Sequence, residues 1–134
     1  DEDFFIFAED VDLNMRGQLQ GFKCIYLPEA KVYHIGTATV GLYSDRYIYL
    51  CKRNDIFVLI RNYSLRMYFQ YLWLILKHQF NDIKYFTYRG QGIVLFRSKL
   101  DALKMLLPMF IRRFHIQSSR SVPDRKIEPL IIKS

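Results

Sequence analysis

From Asp45 onward, apolar residues recur three and four positions apart, and few residues that break a helix interrupt them. That period constrains this part of the chain to helices packed on one face. The pattern predicts a first helix from about Asp45 to Asn62 and a second from about Leu65 to Phe80, with Asn62-Tyr63-Ser64 between them. The polar and aromatic stretch NDIKYFTYRGQG (81–92) reads as a link, and Gly90-Gln91-Gly92 within it as a turn. A third helix follows over SKLDALKMLLPMFIRRFHI, where Leu100, Leu103, Leu107, Phe110 and Phe114 keep the helical spacing. Ser98 and Asp101 have the spacing of a capping box, and Pro108 is expected to kink the helix. The tail from Ser118 reads as loosely held, with one short helix from Pro123.

The first 44 residues are patterned differently. Phe4 to Phe7 is β-prone and reads as a short buried strand. Val11, Met15 and Leu19 then recur at four-residue intervals, which predicts a helix from Glu9 to about Gln20, stopped by Gly21. Acidic residues at its front and Arg16 further on suit the helix dipole, and Asp12 with Arg16 is an i,i+4 pair on one face. Two more β-prone runs, Cys24 to Leu27 and Lys31 to Ile35, flank Pro28-Glu29-Ala30, and residues 36–44 form a small-residue loop.

The chain has 134 residues, the size of one domain, and 51% of them are apolar, enough to build a core. It opens on Asp1-Glu2-Asp3 and enters an apolar run at once, so it reads as the C-terminal piece of a larger protein. Charge is divided unevenly: residues 1–45 carry a net −5 and residues 46–134 a net +12. Cys24 and Cys51 have no metal-ligand spacing and make no disulfide framework, which points to a reducing, cytoplasmic setting. The most apolar window, YFQYLWLIL (68–76), is far shorter than the roughly 20 residues a bilayer requires.

The run FFIFAEDVDLNMRGQLQGFKCIYLPEAKVYHIGTATVG resembles the C-terminal part of the catalytic domain of family 2 glycosyltransferases. There an acidic E-D-x-D-L-x-x-R block follows an aromatic run and leads to a glycine, a strand, a P-x-A and a histidine-glycine loop. The likeness covers roughly residues 1–44; Arg53-Asn54 and the basic segment from Ala102 to Ile127 are similar to the extension of bacterial, rhamnosyltransferase-like members. The resemblance implies an α/β fold, with residues 1–44 as the end of a GT-A domain and residues 45–134 as a basic amphipathic helical extension. It implies inverting transfer from a nucleotide-sugar donor to a lipid-linked or glycan acceptor in cell-surface polysaccharide synthesis.

Such a transfer needs a carboxylate to accept the acceptor's hydroxyl proton and a divalent cation to neutralise the departing diphosphate. The resemblance makes Asp10 the general base, Glu9 its neighbour on the acceptor side, and His34 a ligand of Mn²⁺ or Mg²⁺. Donor-side aspartates belong to a half not matched here, so the stretch alone is expected to be inactive. Without the resemblance, the acidic run is a favourable helix start and His34 a structural residue.

The basic half interleaves cations with aromatics, as at Arg66-Met67-Tyr68-Phe69 and Arg112-Arg113-Phe114, which suits the inner face of a membrane. The competing reading of the whole chain is therefore a non-enzymatic, basic membrane-surface or interaction module. Its runs 56–60 and 71–76 are more apolar than a base-stacking surface needs, so nucleic acid is not expected as a partner.

Overall fold

The computed structural model describes residues 1–33 and 40–132. Among the described residues a single 3₁₀ turn, Glu2–Phe4, precedes six helices: α1 Glu9–Leu19, α2 Asp45–Asn62, α3 Leu65–Tyr88, α4 Gly92–Lys104, α5 Leu106–Ser118 and α6 Asp124–Ile132. Among the described residues there is no strand. The expected α/β architecture is thus overturned: what folds is a helical assembly.

Both misread regions have a physical reason. The Phe4–Phe7 run makes no ladder, because its carbonyls bond side chains of α2 instead of a neighbouring strand. Residues 22–33, which include both β-prone runs up to Tyr33, lie exposed without a partner strand; the rest of the second run lies outside the described residues. A β-prone sequence without a ladder partner leaves its backbone to water.

The helix starts follow local chemistry. Ser44 caps α2 by accepting from the Tyr47 N–H at 3.1 Å, and Ser64 caps α3 by accepting from Met67 at 3.1 Å. Helix α1 ends as its sequence predicts: Gly21 adopts φ +88°, while the Phe22 and Gly21 N–H groups bond the Gly17 and Gln18 carbonyls at 2.9 and 3.0 Å. That is a Schellman motif, and a Cβ on Gly21 would also lie 3.2 Å from Ser121 Oγ.

Two boundaries differ from expectation. Helix α3 continues through the predicted link to Tyr88, because Asp82 and Phe86, one turn apart, are both buried on its inner face. The third predicted helix is two. Pro108 has no N–H and its ring excludes the Lys104 carbonyl, so α4 ends there and α5 restarts with the proline in its first turn. The Met105 N–H bonds the Asp101 and Ala102 carbonyls at 3.2 Å each. Ser98 caps nothing: it sits buried inside α4 and donates to the Leu95 carbonyl at 2.6 Å.

Helix α2 is the centre of the packing, with α4, α5 and α1 against it. One buried cluster joins Phe4 to Phe57, Val58, Ala102 and Met109, with the Phe4 and Phe57 rings edge to face at 5.9 Å. A second unites Leu19, Met67 and Ile127, and a third Ile48, Phe86 and Leu95. Residues on both sides of position 44 share these clusters.

Candidate acidic site at the start of helix α1

The turn that leads into α1 is strained. Phe5, Phe7 and Ala8 have φ of 61°, 72° and 62°, a region that costs a non-glycine residue about 1 kcal/mol or more each. Such a turn persists only when its surroundings fix it, and here α2 does so. The Asn54 amide nitrogen, fully buried, lies 2.9, 2.9 and 2.8 Å from the carbonyls of Phe4, Ile6 and Phe7, sharing its two hydrogens among them. Arg53 donates to the Asn54 amide oxygen through Nε at 3.0 Å and Nη2 at 2.9 Å, and to the Asp3 carbonyl at 3.0 Å. The same guanidinium stacks 5.2 Å from the Phe57 ring centroid.

The acidic residues behind this clamp divide by face. Asp12 points inward and has no exposed surface; it accepts from Arg16 Nε at 2.8 Å and Asn62 Nδ2 at 2.9 Å, with Arg61 Nε 3.6 Å away. The predicted Asp12–Arg16 pair is therefore present. Arg61 also reaches Asp1 at 2.8 Å, and Arg112 bridges Asp1 and Asp3 at 2.7 Å each. Burial pulls the Arg61 guanidinium below its ordinary pKa, against the pull of the Asp12 charge.

Glu9 and Asp10 point outward. Asp10 Oδ1 accepts from the Val11 N–H at 2.8 Å, which orients the carboxylate in the first turn, where the helix dipole favours negative charge. Its other oxygen has no protein hydrogen-bond donor among the described residues. Beside this turn a groove of about 580 Å³ opens between α1, α2 and α3, lined by Ala8, Val11 and Met15 on one wall and by Lys52, Asp55 and His78 on the other. Desolvation lowers the Lys52 pKa, but its contacts with Asp82 and Asp55 outweigh that and hold it above the ordinary lysine value.

His34, with Gly36 and Thr37, lies outside the described residues, so it is not placed relative to Asp10. Among the described residues no three His, Cys, Asp or Glu side chains converge as a metal site would need, so the residues described do not by themselves fit a divalent cation. Asn62-Tyr63-Ser64 fits the Asn-x-Ser glycosylation triplet, but Asn62 is fully buried against Asp12 and closed to modification in this fold.

The sequence pointed to Glu9, Asp10, Asp12 and Arg16; it offered Asn54 only through the resemblance and Arg112 only as a membrane-facing cation, and nothing in it joined Asn54, Arg61, Asn62 or Arg112 to this site. Those four act on residues some 50 or more positions away, and no local spacing signals such a contact. Compared with protein-family models, curated proteins and solved structures, the chain matches none.

Proposed function

We propose that this chain carries the catalytic base of an inverting glycosyl transfer from a nucleotide-sugar donor to a glycan or lipid-linked acceptor, and that Asp10 is that base. The observation that supports it is the outward Asp10 carboxylate, held at one oxygen by the Val11 N–H, on a strained turn clamped by a fully buried asparagine. Backbone strain of this kind gathers where a side chain must be held in one orientation. In the reaction, the acceptor hydroxyl oxygen bonds to the anomeric carbon as its proton passes to Asp10, and the anomeric bond to the diphosphate breaks with its electron pair leaving on the diphosphate. A divalent cation held elsewhere would neutralise that leaving group. Glu9, one residue away and equally outward, contacts the acceptor. By the same resemblance the nucleotide is bound by residues outside this stretch.

The test is Asp10→Asn in the enzyme that carries this stretch. Sugar transfer is expected to fall by about 10³-fold or more, with donor binding retained and helix content unchanged. Near-normal turnover would overturn the assignment. The second reading, a non-enzymatic module acting at the inner face of a membrane, is favoured by the exposed apolar surface of α3; under it no donor-dependent chemistry accompanies the chain.

A further inference from the structure

Helix α3 carries two apolar faces. Its inner face packs through Met67 and Phe86, which are buried. Its outer face has no partner among the described residues: Phe69 is 79% exposed, Trp73 75%, Leu76 53%, Phe80 61% and Ile83 53%. At 3.6 residues per turn these side chains form one stripe about 100° wide along the helix. Ile83 also lines an open groove shared with Ile93 and Phe96 of α4, which extends the apolar surface across both helices. No helix among the described residues is long and apolar enough to cross a membrane.

The charges around this surface indicate its occupant. Arg66, Lys77 and Lys84 fall along one margin of the stripe by the same helical count, and Arg97 is exposed on α4. Residues 65–118 contain nine Lys and Arg and only two acids. Both acids are already engaged, Asp82 with Lys52 at 3.0 Å and Asp101 with Tyr49 and Lys104 at 2.8 and 2.6 Å. Glu128 of α6 lies 3.7 Å from Arg66, but Lys77, Lys84 and Arg97 have no carboxylate partner among the described residues, so the stripe's margin is net cationic, which repels a second copy of itself and complements an anionic interface. Long Lys and Arg stems can lie along acyl chains while their charges meet headgroups.

We infer that the outer face of α3, with Ile93 and Phe96 of α4, docks on the surface of an anionic lipid bilayer, with the helix lying in the interface plane. Trp73 enters the headgroup boundary, and Lys77 and Lys84 meet lipid phosphates. This docking does not depend on any chemistry at Asp10.

Trp73 is the only tryptophan in the chain and stands on this face, so its fluorescence reports docking directly. The full chain is titrated with phosphatidylcholine vesicles with and without phosphatidylglycerol, some carrying brominated acyl chains. Docking predicts a blue-shifted emission quenched by the brominated lipid, seen with the anionic vesicles and weakened by salt. Lys77→Gln/Lys84→Gln, at two exposed positions, should lower the partition constant about 30-fold with helix content kept. Phe80→Ser should weaken it through lost apolar burial. An emission unmoved by anionic vesicles, binding indifferent to the lysine changes, or a Trp73 already shielded without lipid in a self-associated chain each overturns the proposal.

Discussion

Residues 1–21 and residues 22–33 are adjacent in sequence and both rich in apolar groups, yet only the first is built into the fold. Phe4 and Leu19 are fully buried, whereas Tyr26, Val32 and Tyr33 are 86%, 86% and 94% exposed. Side-chain type does not separate them. What separates them is that the first segment delivers polar groups to partners on α2 and α5, while the second, beyond the Phe22 N–H that closes α1 and a Cys24–Asn14 contact, meets no partner element among the described residues. Apolar content supplies driving force, but long-range polar partners fix the register in which it is used.

The largest way to break that contrast is Asp12→Ala. It takes from the Arg61 guanidinium, 2% exposed, one of its two carboxylates, leaving Asp1 at 2.8 Å, and removes a buried acceptor from both the Asn62 amide and Arg16 Nε. Loss of one partner from a buried charge pair costs about 3–5 kcal/mol, so urea unfolding followed by circular dichroism should show a loss of that size. Asp10→Ala, two residues earlier and outward, should change stability by no more than about 0.5 kcal/mol. The pair of measurements separates the structural carboxylate from the one proposed to react.

Asn54→Ala comes next. It strips the side-chain donor from the Ile6 and Phe7 carbonyls, leaves the Phe4 carbonyl only the longer bond from Arg53, and releases a turn with three non-glycine residues at positive φ. About 3 kcal/mol should be lost in the same unfolding assay. Asn54→Asp keeps the shape but turns a second acceptor toward those carbonyls, so it should not restore stability. If it does, the amide hydrogens are not what holds the turn.

The helices of the second half were readable because their apolar residues recur at helical spacing and a proline acts within one turn of where it stands. Asp45–Asn62 and the start of α3 follow directly from such signals. The stripe Leu100, Leu103, Leu107, Phe110 and Phe114 shows the limit: it is helical as its spacing says, yet its members are 39–72% exposed. Periodicity gives a helix and a face, not which way the face turns. Ser98 failed as a cap for a related reason, since its position in the helix was set by α4 packing on α2 from residue 92 onward. For the candidate site, the acidic cluster was visible as composition at a helix start. The sorting of Asp12 inward and Asp10 outward was not, because it depends on Arg61 and Asn62, about 50 residues away.

A smaller effect tests how α6 is held. Asp124 accepts from the Ser64 hydroxyl at 2.7 Å and pairs with Arg120, tying α6 to the cap of α3. Burial alone would raise its pKa, but the Ser64 and Arg120 contacts outweigh it and hold the carboxyl below the ordinary aspartate value. A depressed folded pKa means the contribution is complete above the unfolded value of about 3.9 and lost as pH falls through the lower folded value. Asp124→Asn should cost about 1 kcal/mol at neutral pH and remove this part of the acid limb, so the difference between variant and parent shrinks as pH drops below about 4. A difference independent of pH would mean that the carboxylate charge contributes nothing there.

The smallest expected effect decides the comparison most directly. Tyr26→Ser and Val32→Ser remove large apolar side chains, the kind of change that costs about 2–5 kcal/mol in a core. Here each should stay within about 0.5 kcal/mol, because at 86% exposure the side chains have almost no burial to lose. Leu19→Ala, three residues before the segment begins, should cost about 2–4 kcal/mol from a fully buried site. Limited proteolysis should cut within residues 22–33 before any helix, at a rate the serine variants leave unchanged. A loss above about 1 kcal/mol in either serine variant would mean that the segment packs against something in solution. Residues 1–21 and 22–33 would then differ in the partner they meet rather than in having one.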